Sequence, residues 1–106
     1  IRQLQGADQP DLLRQVIEIY LDSSAQLVRQ IDTALAAADA DAAGRAAHAL
    51  KSSSGNVGAA AVTQLAAEIE AAARANALDR IAELHAELHA AFGKVQQALA
   101  AELQAA

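Results

Sequence analysis

His48 stands in the run Ala47-His48-Ala49, with Lys51 three residues on, Ser52 four and Gly55 seven. On a helix these four side chains share one face. At 100° per residue His48 lies about 200° around from Leu50, so it points away from the apolar side and toward solvent. An open imidazole flanked by small residues is accessible to another macromolecule, and a cation one turn away can steady a negative group attached to the ring. His85 and His89 stand one turn apart further along, a spacing that can bind zinc from one face. The zinc-hydrolase pattern, however, needs Glu directly after the first His, and Ala86 stands there. The pair is therefore read as no metal site.

The elements that position these residues are helical. Alanine makes up roughly 30% of the chain, and most of the rest is Leu, Gln, Glu, Asp, Arg and Ile, nearly all good helix formers. A first helix is expected from the Asp8-Gln9-Pro10-Asp11 stretch, where an Asp cap, an early Pro and a second acid suit a helix start, to about residue 38. Leu13, Val16, Ile17, Tyr20, Leu27, Ile31 and Leu35 form its apolar stripe. A second should run from Asp39 or Asp41 to about residue 56, with Ala43, Ala46, Ala47, Leu50, Ser54 and Val57 inward. That row is small enough to let neighbouring helices come close. A third, about 59–75, buries Val62, Leu65, Ile69 and Ala72 or Ala73. A fourth, from about 78 to near the end, carries Ile81, Leu84, Leu88, Phe92, Val95, Leu99 and Leu103 at heptad-like spacing. Gly58 suits the turn between the second and third helices, since glycine takes the left-handed conformation that ends a helix. The expected architecture is all-α: one domain over residues 1–106, an antiparallel up-down-up-down four-helix bundle with short connections, plus a short extra helix in the lead-in at residues 1–4.

Composition removes several classes of function. With no Cys there is no disulfide framework, thiolate metal site or cysteine nucleophile. Thirteen acidic against 8 basic residues, a net charge of -5, argue against nucleic acid as a partner. No apolar run approaches the roughly 20 residues that cross a bilayer, and a surface-lying helix would want more Lys and Arg, so no direct membrane contact is expected. No targeting peptide, Gly-rich phosphate loop, nucleophile elbow or ATP signature is visible. The missing initial Met suggests a domain cut from a longer protein.

The string Ala47-His48-Ala49-Leu50-Lys51-Ser52-Ser53-Ser54-Gly55-Asn56-Val57-Gly58-Ala59, followed by Leu65 and Ile69-Glu70, resembles the signature of histidine-containing phosphotransfer (HPt) domains of multistep phosphorelays. The opening Leu12-Leu13-x-x-Val16-Ile17-x-Ile19-Tyr20-Leu21 run and the final helix are similar too, so the resemblance spans almost the whole chain. It implies a phosphocarrier of two-component signal transduction, without ATP binding or autokinase activity. In it, His48 accepts a phosphoryl group from the aspartyl phosphate of a receiver domain and passes it to a response regulator. Lys51 would supply charge beside the phosphate, and Glu70 would contact the inner ring nitrogen and fix the tautomer, leaving Nε2 as nucleophile. Arg45 and Arg74 would add positive charge, and Ser52 and Gly55 would face the docking receiver. Ser52 is a departure, because the family usually has Gly after the Lys.

The resemblance further implies no cofactor in this chain, with magnesium only in the partner receiver, a monomeric domain, and a cytoplasmic location, plausibly at the C-terminal end of a hybrid sensor kinase. The rival reading is a helical-bundle interaction module that docks receivers or another partner without carrying phosphate.

Overall fold

The computed structural model describes residues 10–57 and 59–105. They form four helices: α1 (Pro10–Ala36), α2 (Ala40–Asn56), α3 (Ala60–Arg74) and α4 (Leu78–Ala105). Each helix packs on its neighbours in sequence, and α1 closes the ring on α4, which is the up-down-up-down antiparallel bundle expected from the short connections. The expected lead-in helix at residues 1–4, the Asp8 cap and the Gly58 turn lie outside the described residues. Among the described residues no helix is long and apolar enough to cross a membrane.

Local chemistry explains the boundaries. Pro10 and Asp11 occupy the first turn of α1, where a missing N–H costs nothing and a carboxylate meets the positive end of the dipole. The helix stops at Ala36, two residues earlier than expected, because Ala38 turns left-handed (φ 54°). Its N–H then reaches Leu35 O at 3.0 Å and that of Asp39 reaches Ala34 O at 2.8 Å, the paired bonds of a Schellman end. Asp39 immediately caps α2, its carboxylate accepting from Ala42 N at 3.0 Å. Asn76 (φ 54°) repeats this arrangement after α3, with Asn76 N to Ala73 O at 3.0 Å and Ala77 N to Ala72 O at 2.9 Å.

The core is built from Leu13, Ile17, Tyr20, Val28 and Ile31 of α1, Leu50 with Ala43, Ala46 and Ala47 of α2, Val62, Ala66 and Ile69 of α3, and Ile81, Leu84, Leu88 and Phe92 of α4. Tyr20 sets the register of α1. Its ring meets Phe92 edge-on at 6.4 Å, and its hydroxyl bonds the buried Ser54 hydroxyl at 2.8 Å. On α1 the innermost row includes Ser24, Val28 and Ala34, and the larger Leu27 and Leu35 stand half-buried at the flanks. Val16, Val57 and Leu65 are likewise half-buried.

α1 and α4 have 27 and 28 residues, whereas α2 and α3 have 17 and 15. The long pair continues past the short hairpin, where Arg14 Nη2 donates to Leu103 O at 3.4 Å. Val95, Leu99 and Leu103, toward the end of α4, are only half-buried, whereas Leu13 and Ile17 on α1 are fully buried.

The tightest approach lies between α2 and α3. A Cβ placed on Gly44 would stand 2.8 Å from the Ala73 Cβ, a distance at which the helices must move apart. Gly44→Ala is therefore expected to destabilise the fold by about 1–3 kcal/mol in urea unfolding, the cost of overpacking. Gly93→Ala on α4, where an added Cβ meets nothing within 4 Å, should instead stabilise by about 0.5–1 kcal/mol through helix propensity alone.

Candidate functional site

The antiparallel register that sets Gly44 against Ala73 carries one turn further along each helix to His48 and Glu70. Their side chains meet: His48 Nδ1 lies 2.8 Å from Glu70 Oε2. Lys51 Nζ donates to Glu70 Oε1 at 2.7 Å, and Arg74 Nη2 to Oε2 at 3.2 Å. One carboxylate thus gathers an imidazole, an ammonium and a guanidinium from two helices. Its side chain is only 13% accessible, whereas the His48 side chain is 63% accessible. The anion sits at the base of the cluster and the ring stands above it.

The electrostatics fix the proton. The Lys51 hydrogen bond, with that of His48 and the charges of both, holds the Glu70 carboxyl below its ordinary value of 4.5 despite some desolvation. An ionised carboxylate only accepts hydrogen bonds, so Nδ1 of His48 carries the proton and donates it. The neutral ring then presents an unprotonated Nε2, which no described side chain bonds.

The remaining sequence-predicted residues fall around this cluster. The Ser52 hydroxyl folds back onto His48 O at 3.3 Å, lying along its own helix. Gly55 is exposed with open space about it. Arg45 stands exposed at a hollow beside His48 and Glu70 that Asp41, Gly44, Ala73 and Arg74 also line. Lys51 and Arg74 point into Glu70 in this state, so the positive charge expected beside a bound phosphate is stored on the carboxylate. Sequence reasoning did not place Asp41 or Gly44 at the site. Gly44 did leave a signal, since a glycine inside a strong helix pattern costs about 1 kcal/mol and calls for a close contact. Asp41 left none, being indistinguishable from a first-turn helix acid.

An exposed histidine held by a carboxylate across the short hairpin of a four-helix bundle defines a class of helical module whose business is conducted at its surface. A family model, the Hpt domain, matches residues 15–105, and the chain belongs to that family. Searches of curated proteins and of solved structures returned no match. Hpt domains are phosphocarrier modules of two-component phosphorelays, without kinase activity, and they interact with receiver domains.

The Glu70 shift has a sign that can be tested. A carboxyl whose pKa is lower folded than unfolded adds stability that is present above its ordinary value near 4.5 and is lost as pH falls through the folded value. Glu70→Gln should therefore be less stable than wild type near neutral pH, and the gap should close as pH falls below the ordinary carboxyl value of 4.5 in urea titrations. A gap independent of pH would show that the carboxylate charge is not what holds the cluster.

Proposed function

We propose that His48 is the phosphoryl acceptor and donor of a phosphorelay, exchanging the group with the aspartate of a receiver domain. The observation that carries this reading is the pairing of Nδ1 with Glu70 on an otherwise accessible ring. In the forward step Nε2 attacks phosphorus, the Nε2–P bond forms and the P–O bond to the aspartyl carboxylate breaks, with the electron pair leaving on that carboxylate. No proton has to move. The ring keeps its Nδ1–H and gains positive charge, which Glu70 stabilises at hydrogen-bond distance. The reverse step regenerates the neutral imidazole, so the same geometry serves acceptance and donation.

Lys51 stabilises the phosphoryl group. Its ammonium has three donors, so it can keep Glu70 Oε1 and turn another N–H toward a phosphoryl oxygen. Phosphoryl transfer through a loose transition state asks for in-line placement and charge stabilisation more than for covalent help, and this cluster offers both. The chain needs no cofactor of its own, and magnesium belongs to the receiver's acidic pocket. Arg45, Ser52, Gly55 and Arg74 form the rim on which the receiver docks. Ser52 leaves room there because its hydroxyl is turned onto its own backbone. The domain acts as a monomer in the cytoplasm, with receivers of a sensor kinase, of a response regulator or of both as partners.

Incubation with a phosphorylated receiver is expected to label wild type with acid-labile, base-stable phosphate and to leave His48→Gln unlabelled. Glu70→Gln should transfer about tenfold more slowly, equivalent to ~1.4 kcal/mol of barrier. Equal labelling of His48→Gln would overturn the assignment, and receivers that bind without transferring would favour a docking module that carries no phosphate.

A further inference from the structure

A second set of chemistry-bearing side chains lies between α1 and α4, across the bundle from the α2–α3 pair that holds His48. His85 and His89 occupy successive turns of α4, and Asp32 faces them from α1. The His85 Nε2 is 2.5 Å from Asp32 Oδ1, and the His89 Nε2 is 3.4 Å from either carboxylate oxygen. The two rings meet edge to face, with centroids 4.5 Å apart. One donor atom from each of the three residues lies within 4.8 Å of the others. The His85 side chain is only 5% accessible and held by packing, whereas those of Asp32 and His89 are 51% and 53% accessible. One fixed ligand and two adjustable ones thus surround a point open to solvent.

We propose that Asp32, His85 and His89 form a binding site for a divalent transition-metal ion of the zinc type, which ties α1 to α4 independently of the His48 cluster. Two imidazoles and one carboxylate suit Zn2+, at about 2.0–2.2 Å per bond, and disfavour Mg2+ and Ca2+, which take oxygen ligands. Tetrahedral binding needs donor atoms about 3.4 Å apart. Rotation of the two half-exposed side chains supplies the adjustment while His85 stays in place. The fourth position falls to water.

Metal entry requires a shift of one proton. His85 donates Nε2–H to the Asp32 carboxylate, and its buried Nδ1 has no hydrogen-bond partner. To ligate through Nε2 the ring moves that proton to Nδ1, which becomes a buried donor without an acceptor. Metal-bound histidines usually have that second N–H satisfied, so the site should bind in the micromolar range and below the affinity of a structural zinc centre. Ala86 stands where a zinc hydrolase would place its general base, so the ion serves as a clamp. Spacing on α4 alone supplied two ligands and argued against a metal. The third comes from a helix more than fifty residues away in the chain.

The test is titration of the full chain with Zn2+ alone, by calorimetry and by thermal unfolding, with Co2+ absorption reporting the ligand geometry. Wild type and His48→Gln should each bind one ion per chain, with a raised unfolding midpoint and the visible bands of a four-coordinate nitrogen–oxygen site. His89→Ala and Asp32→Asn, both at exposed positions that leave the core intact, should lose at least about tenfold in affinity and the stabilisation with it. Absence of binding at micromolar Zn2+ would overturn the proposal. So would binding that survives both substitutions, or binding that disappears in His48→Gln and so belongs to the other cluster.

Discussion

The close approach of α2 and α3 at Gly44 and Ala73 is the constraint on which the His48 site depends. Helices separated by alanine and glycine rather than by leucine leave too little distance for a long side chain to splay away from its neighbour. In an antiparallel pair the next turn from that contact brings His48 opposite Glu70. The carboxylate spans the narrow gap with both oxygens engaged, one by Lys51 and one by His48 and Arg74. A wider hairpin would leave Glu70 as one more solvated surface acid and His48 free to take either tautomer.

From that geometry follows a division of labour within a single cluster. Glu70 is partly covered and ionised, so it sets the proton on Nδ1 and stores two permanent positive charges close to the ring. His48 stays exposed, which a transfer partner requires. The Lys51 hydrogen bond outweighs the desolvation of the Glu70 carboxylate, so the imidazole keeps a charged partner at the partly covered base of the cluster. The bundle around it supplies rigidity: Leu50 and Ile69, each within two residues of the site on its own helix, are fully buried and hold the two backbones in register.

Much of this was legible in the chain. The four helices, their order and the outward direction of His48, Lys51 and Ser52 follow from apolar periodicity and from cap residues such as Asp39. The pairing of Glu70 with His48 followed from resemblance to a family, since helix periodicity alone says nothing about which residues meet across a hairpin. Three features stayed hidden for identifiable reasons. The left-handed turn at Ala38 carries no glycine to announce it. The half-burial of Leu99 and Leu103 is not encoded by a heptad pattern, which gives them the same spacing as the fully buried Ile81 and Leu88. The convergence of Asp32 on His85 and His89 depends on the register of the first helix against the last, the pair most distant in sequence.

The most direct test of the central claim is the nitrogen-15 spectrum of the His48 ring before and after phosphorylation. Long-range nitrogen–proton correlations distinguish the two ring nitrogens. The expected spectrum of the neutral, unphosphorylated ring has the proton on Nδ1 and a bare Nε2, and phosphorylation should then appear on Nε2 with Nδ1–H retained. A neutral ring protonated on Nε2, or a phosphoryl group on Nδ1, would contradict the role assigned to Glu70 and with it the link between the α2–α3 approach and transfer.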